Sequence, residues 1–266
     1  MEKFQRYYLS FLLLIVYTNT IAQVNCNAVE GENCKKACEQ YNWASDRQGG
    51  SRESQGAFDK AISLCPDLSS SYMEKAVPYL KNGAFLTWKI LIDKAVAVDP
   101  KMYLGYRGWS KFQFFGDYKG AIHDLGVLKK YNPDNLGRSL NENYHLDVVR
   151  AVSYSALGQK EKAVGIIENL LASKGYFKGM YDHYQLGVTY FELGRYDKAL
   201  DNFEKQSKEK NFVENIYFKS KVSKIRNKDY LDLKKLALIT YDEGKTMKDV
   251  YIHQFNKIYR KQIEEL

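Results

Sequence analysis

An all-α fold of stacked helical hairpins is what this 266-residue sequence predicts, and three observations carry the prediction. In residues 184–203, YQLGVTYFELGRYDKALDNF, apolar side chains recur through Leu186, Tyr190 and Leu193. They pause at Gly194 and resume through Tyr196, Ala199, Leu200 and Phe203, the pattern of two amphipathic helices joined by a tight turn. Pro66, Pro100 and Pro133 fall at nearly even intervals, the first two 34 residues apart, each where a helix must stop because proline cannot continue it. Aromatics make up 14% of the chain, with 22 Tyr and only 4 Pro, which suits a well-packed helical protein and not a disordered one.

Taken in order, the chain opens with Lys3 and Arg6, an apolar run over 9–17 and the small-residue site Thr20-Ile21-Ala22. That is the layout of a cleaved export signal, predicted to end after Ala22. The apolar run falls well short of the ~20 residues a membrane-spanning helix needs.

Export sets the reading of the four cysteines, Cys26, Cys34, Cys38 and Cys65. An even number in an oxidising compartment implies two disulfides, and the absence of a CxxC knuckle argues against zinc. Cys34 and Cys38 lie one turn apart on a helix antiparallel to the one ending at Cys65. One of them can therefore reach Cys65, leaving the other for Cys26.

The first hairpin spans 34–66, turning at Gly49-Gly50, with Phe58 and Ala61 on its second helix. The second closes at Pro100; Pro78 falls inside its first helix, where a lost hydrogen bond predicts a bend, and Trp88 takes the place of a small residue. The third carries Gly108, Gly116-Asp117-Tyr118, Ala121 and Pro133. A polar, turn-rich loop over 134–143 then breaks the register. The fourth hairpin shows Tyr154, Leu157-Gly158 and Ala163. The fifth is 184–203, and 211–241 reads as a degenerate sixth. A final helix is expected over 245–266, with Met247, Tyr251, Phe255, Ile258 and Tyr259 on one face, covering the end of the stack.

The Leu186-Gly187 pair, Tyr190, Leu193-Gly194, Tyr196, Ala199 and Phe203 resemble the tetratricopeptide repeat, and the 34-residue interval is that repeat's period. Gly187 and Ala199 would let two helix backbones approach while Tyr190, Leu193 and Phe203 fill the seam. The resemblance implies a right-handed superhelical solenoid of five to six hairpins over 23–244, whose first helices line a concave groove. It also implies a protein or peptide partner. The side chains of those first helices that project off the packing seam are Trp43, Met73, Leu80, Trp109, Phe112, Tyr181, Tyr184 and Phe191, the candidate partner-binding set. The competing reading of each is packing between hairpins. The Lys, Asn and Arg clamp that grips a partner's C-terminal carboxylate in part of this family is not matched, since Glu39, Trp43, Tyr184 and Val188 occupy the corresponding faces.

Enzyme motifs are missing: there is no phosphate-cradling loop, GxSxG elbow or HExxH, and no cofactor is implied. His145, Asp147, Asp182 and His183 are the best constellation to force into a metal site, but ordinary polar positions at a helix start explain the same residues, and scattered ligands rarely converge. The net charge of +8 is interspersed with acids, as on a solvated helix face. Export and the lack of a basic stripe argue against nucleic acid. The sequence therefore predicts a non-catalytic adaptor or scaffold in the periplasm or envelope of a bacterium, of unspecified oligomeric state. The alternatives are a glycan- or peptidoglycan-binding module that stacks aromatics on sugars, or an enzyme of unrecognised type.

Overall fold

The computed structural model describes residues 24–249, 251 and 254–266, so the export signal expected over 1–22 lies outside the described residues. Those residues form thirteen α-helices, a short 3-10 turn at Cys26–Ala28 and no strand. None of the helices is long and apolar enough to cross a membrane. Two compact units are present, one up to Lys75 and one from Ala76.

In the first unit, α1 (Glu32–Ser45) and α2 (Arg52–Leu64) form an antiparallel hairpin. Buried Ala37, Ala44, Ala57 and Ala61 let the two backbones close, as small residues at a helix seam do. The Ser51 side chain caps α2 by accepting the Ser54 N–H, and the Ser54 hydroxyl donates to the Ala44 carbonyl. Cys34 bonds Cys65 across the hairpin, and Cys26 bonds Cys38 to tie down the chain before α1. This resolves the pairing that the sequence left open.

α3 (Ser69–Lys81) runs unbroken through Pro78. α4 (Phe85–Val98) buries Trp88, whose ring lies 5.1 Å from that of Phe115. α5 (Pro100–Phe115) starts with Pro100 in its first turn, under an Asp99 cap that accepts the Met102 N–H. Pro100 thus ends one helix and opens the next, because its fixed φ and missing N–H suit a first turn.

The second unit continues with α6 (Tyr118–Tyr131), α7 (Leu146–Ala156), α8 (Lys160–Ala172), α9 (Asp182–Glu192), α10 (Tyr196–Glu209), α11 (Val213–Ile225) and α12 (Leu231–Asp242). Helices pair as α5 with α6, α7 with α8, α9 with α10 and α11 with α12. Within this unit α7 touches α5 and α9, and α9 touches α11, so the first helices of successive hairpins form one layer. Between α9 and α10, Gly194 adopts φ +71° and the Arg195 N–H reaches the Tyr190 carbonyl. That is a Schellman closure, which only a residue without Cβ adopts cheaply. The degenerate sixth hairpin forms as α11 and α12.

The end of the chain differs from expectation. The helix expected over 245–266 is reduced to α13 (Arg260–Glu264), which packs on α12 with Ile263 buried. Its Glu264 carbonyl accepts from Lys234, and the Leu266 carbonyl just beyond it accepts from Lys224. The described residues among 245–259 are not helical, and the backbone groups of Met247, Phe255 and Asn256 find partners on the inner helices, which replaces hydrogen bonds a helix would have supplied. Gly244, with φ +73°, ends α12 and lets the chain turn back.

Candidate functional site

The inner layer of the second unit forms a groove, and the protein's own C-terminal segment (described residues 246–249, 251 and 254–259) lies in it. The Glu214 carboxylate on α11 is completely buried and accepts the Met247 N–H at 3.2 and 3.1 Å. Lys257 folds back to donate to Glu214, to the Thr246 hydroxyl and to the Met247 carbonyl. On α9 the Tyr184 hydroxyl donates to the Asn256 carbonyl at 2.6 Å, and the Gln185 amide donates to the Phe255 carbonyl at 3.4 Å. The Gln185 oxygen in turn accepts from the Asn256 side chain at 2.8 Å. The Phe255 ring sits between Phe112 and Tyr118, with centroids 5.8 and 5.9 Å away.

Burial sets the electrostatics of this groove. It pushes the Tyr144 and Tyr184 hydroxyls far above their usual range and Tyr181 to about 12, so all three stay neutral hydrogen-bonding groups. Burial also raises Glu214, opposed by Lys257 and the Met247 N–H.

Beside the segment an open pocket of about 450 Å³ remains, lined by Leu80, Tyr106, Trp109, Phe114, Leu140 and Tyr251 among others. Asn141 donates to Asp249 at its edge, and the Lys81 ammonium stands 5.0 Å from the Tyr251 ring.

The predicted binding residues fall into separate places. Leu80 and Trp109 come together in this pocket. Phe112 and Tyr184 are buried against the C-terminal segment, and Tyr181 is buried between Tyr144 and Phe212. Phe191 packs between Tyr196 and Phe218. Trp43, 42% exposed under the Arg47 guanidinium, and the partly buried Met73 belong to the first unit. The open concave face expected of this set is, in the second unit, partly filled by the chain itself.

Sequence reasoning missed Tyr144, Gln185, Glu214, Phe255 and Asn256. The available signal was polarity out of place: Gln185 and Glu214 interrupt apolar stretches of inner helices, and a buried amide or carboxylate must be paired.

His145, Asp147, Asp182 and His183 are each engaged elsewhere. His145 caps α7 by accepting the Asp147 N–H, and Asp147 pairs with Lys129 and Arg150. Asp182 accepts from Tyr176 and the Gly179 N–H, and His183 lies 3.2 Å from the Asn202 oxygen. Among the described residues no group of three or more His, Cys, Asp and Glu side chains is placed to hold a metal.

Paired helices whose first members form one layer define an all-α helical-repeat protein. One of its hairpins matches a known repeat: a model of the tetratricopeptide repeat matches residues 183–210, the α9–α10 hairpin. PilF of Pseudomonas aeruginosa has a similar structure, at 10% identity over 80% of this chain and 94% of that one, with a TM-score of 0.61. PilW, a widely conserved type IV pilus biogenesis factor, matches at 13% identity over 77% and 94%, also with a TM-score of 0.61. A tetratricopeptide repeat protein from Parabacteroides merdae matches at 15% identity over 86% and 82%, with a TM-score of 0.57. At such identities the likeness is one of fold. No curated protein matches the sequence.

Proposed function

We propose that this chain is a non-catalytic adaptor or scaffold, exported to the periplasm or envelope of a bacterium, that holds a partner protein by an extended segment in the groove of its second unit. One observation carries the reading: inner-helix side chains hydrogen-bond the main chain of a non-helical segment at its Gln254–Lys257 turn, as the Tyr184–Asn256 and Gln185–Phe255 contacts do. Main-chain recognition beside an aromatic pocket is how a groove accepts a peptide, with the pocket supplying an anchor site. Two disulfides suit an oxidising compartment. The glycan alternative draws on exposed aromatic faces, and Phe112, Tyr181 and Tyr184 present none.

A photo-crosslinking residue at Leu140, which is exposed at the pocket rim, tests the reading in the native host. The expected product is a protein adduct that weakens when Tyr251, exposed on the same rim, is changed to Ser. Recovery of cell-wall fragments alone, or an adduct indifferent to Tyr251→Ser, would overturn it. N-terminal sequencing of the mature protein should begin at Gln23 if the export signal is cleaved as expected.

A further inference from the structure

We infer that the C-terminal segment is a resident peptide, and that the groove takes in its place a partner's segment that presents the same pattern in the same turn, an aromatic residue followed by asparagine. This rests on the adaptor reading above and names the chemistry of its partner.

Several side chains of the segment meet the groove: Asp249 accepts from Asn141, Gln254 accepts from Tyr144 and Lys257 pairs with Glu214, while Phe255 and Asn256 are the most closely fitted. Phe255 fills the space between Phe112 and Tyr118, where its ring meets one of theirs edge-on and the other tilted, arrangements that aromatic pairs favour. Asn256 is selected twice over. Its φ of +60° is left-handed, a conformation that asparagine tolerates better than other side chains. Its amide also donates to Gln185, itself only 1% exposed. Gln185 is oriented by the Phe255 carbonyl and the Tyr144 hydroxyl, to both of which it donates. An incoming residue with no amide leaves the buried Gln185 oxygen unpaired, and that penalty makes the site discriminate. The Tyr184 hydroxyl, kept neutral by burial, reads the carbonyl of the same residue. Main-chain recognition accepts any peptide, so the sequence preference comes from side-chain contacts, foremost the aromatic site and the Gln185 amide, with the buried Glu214 opposite Lys257 adding to it.

The resident segment is tethered at both ends, by α12 before Gly244 and by α13 after Tyr259. A tethered ligand competes at an effective concentration on the order of millimolar. An outside segment therefore meets a mostly occupied groove, and its apparent affinity falls by the fraction of molecules in which the groove is free.

The test uses full-length disulfide-intact protein and a fluorescent peptide with the sequence of residues 246–259. Phe255→Ala in the protein empties the aromatic site and should raise affinity for the added peptide by about tenfold or more over wild type, as the occupied fraction falls. A peptide with alanine in place of its Phe and Asn should bind the variant at least about tenfold more weakly than the unaltered peptide. Asn256→Gly, which keeps the left-handed backbone and removes only the amide, supplies a second loosened protein should Phe255→Ala fail to fold by circular dichroism. Equal affinity of wild type and the folded variants, absence of binding to either variant, or equal binding of the altered peptide would overturn the inference. If the inference fails while crosslinking at Leu140 still yields a Tyr251-dependent protein adduct, the adaptor reading stands and its partner is recognised differently.

Discussion

Replacing Gly187 by alanine places one methyl group at the tightest point of the α9–α10 hairpin. A Cβ built there would lie 2.5 Å from Cε1 and 2.7 Å from Cδ1 of Phe203, well inside the ~3.5–4.0 Å separation of unstrained carbon atoms. Phe203 has no room to retreat: it is fully buried, with Tyr184 and Phe218 rings at 6.3 and 5.8 Å. Two effects oppose each other. Alanine is better than glycine in a helix interior by about 1 kcal/mol, while overpacking a filled core costs about 1–3 kcal/mol. A contact this short belongs at the upper part of that cost, about 2–3 kcal/mol, so the overpacking should win by about 1–2 kcal/mol, or roughly 2–8 °C in melting temperature for a unit of this size. Gly165 on α8 is the internal control, because a Cβ there meets nothing within 4 Å, so Gly165→Ala keeps only the helical gain and should melt slightly above wild type. Thermal unfolding of both variants followed by circular dichroism decides the matter. Phe203→Leu added to Gly187→Ala should recover part of the loss, since it removes the atoms in conflict. A Gly187→Ala protein as stable as wild type, or two glycine variants shifting in the same direction, would refute the close-approach argument.

Asp124 should govern acid stability. Burial pushes its carboxyl up, but Arg107 and Lys111 outweigh this and hold it below the ordinary range. Its contribution is therefore present above the unfolded pKa and lost as pH falls through the lower folded one, so Asp124→Asn should flatten the decline in melting temperature below about pH 4. At neutral pH the same substitution should cost about 3 kcal/mol, because it leaves Arg107 and Lys111 short of a partner. Glu214 has the opposite sign: burial raises its pKa, so its stabilising contribution is present below the unfolded value and fades as pH rises through the folded one. Glu214→Gln should remove that fade, read as melting temperature against pH. Exchanging Cys34 and Cys65 together for serine opens a bridge spanning 31 residues and should cost the first unit about 3 kcal/mol in denaturant titration. Unfolding the wild type under reducing conditions should add two hydrogens per bridge by mass.

Local periodicity was enough to find the hairpins of α1 with α2 and of the four pairs from α5 to α12. Gly187, Ala199 and Phe203 occupy a seam whose partners are 12–16 residues apart, so their spacing alone records the contact. Pro66, Pro100 and Pro133 punctuate helices through their own ring geometry, which needs no tertiary context. The two disulfides were constrained in the same way, with helix spacing reducing the choice to which of Cys34 and Cys38 reaches Cys65. The candidate site was less legible. Leu80 and Trp109 do share a pocket, but Phe112, Tyr181 and Tyr184 are buried. An inner helix shows the same apolar pattern whether solvent, a partner or the chain's own end lies against it.

The sequence by itself determined that this chain is an array of helical hairpins, because each hairpin is closed by contacts a few turns apart. Only the tertiary structure decided where the described residues after Lys245 lie. Met247, Phe255 and Ile258 have the spacing of a helix face, yet their segment is irregular, since Glu214, Tyr184 and Gln185 offer its backbone partners that lie 33 to 72 residues away. A helix satisfies its backbone locally and can be read from local pattern. A segment satisfied by distant side chains carries no periodic mark of it, so the structure was needed to show that the groove holds the chain's own end.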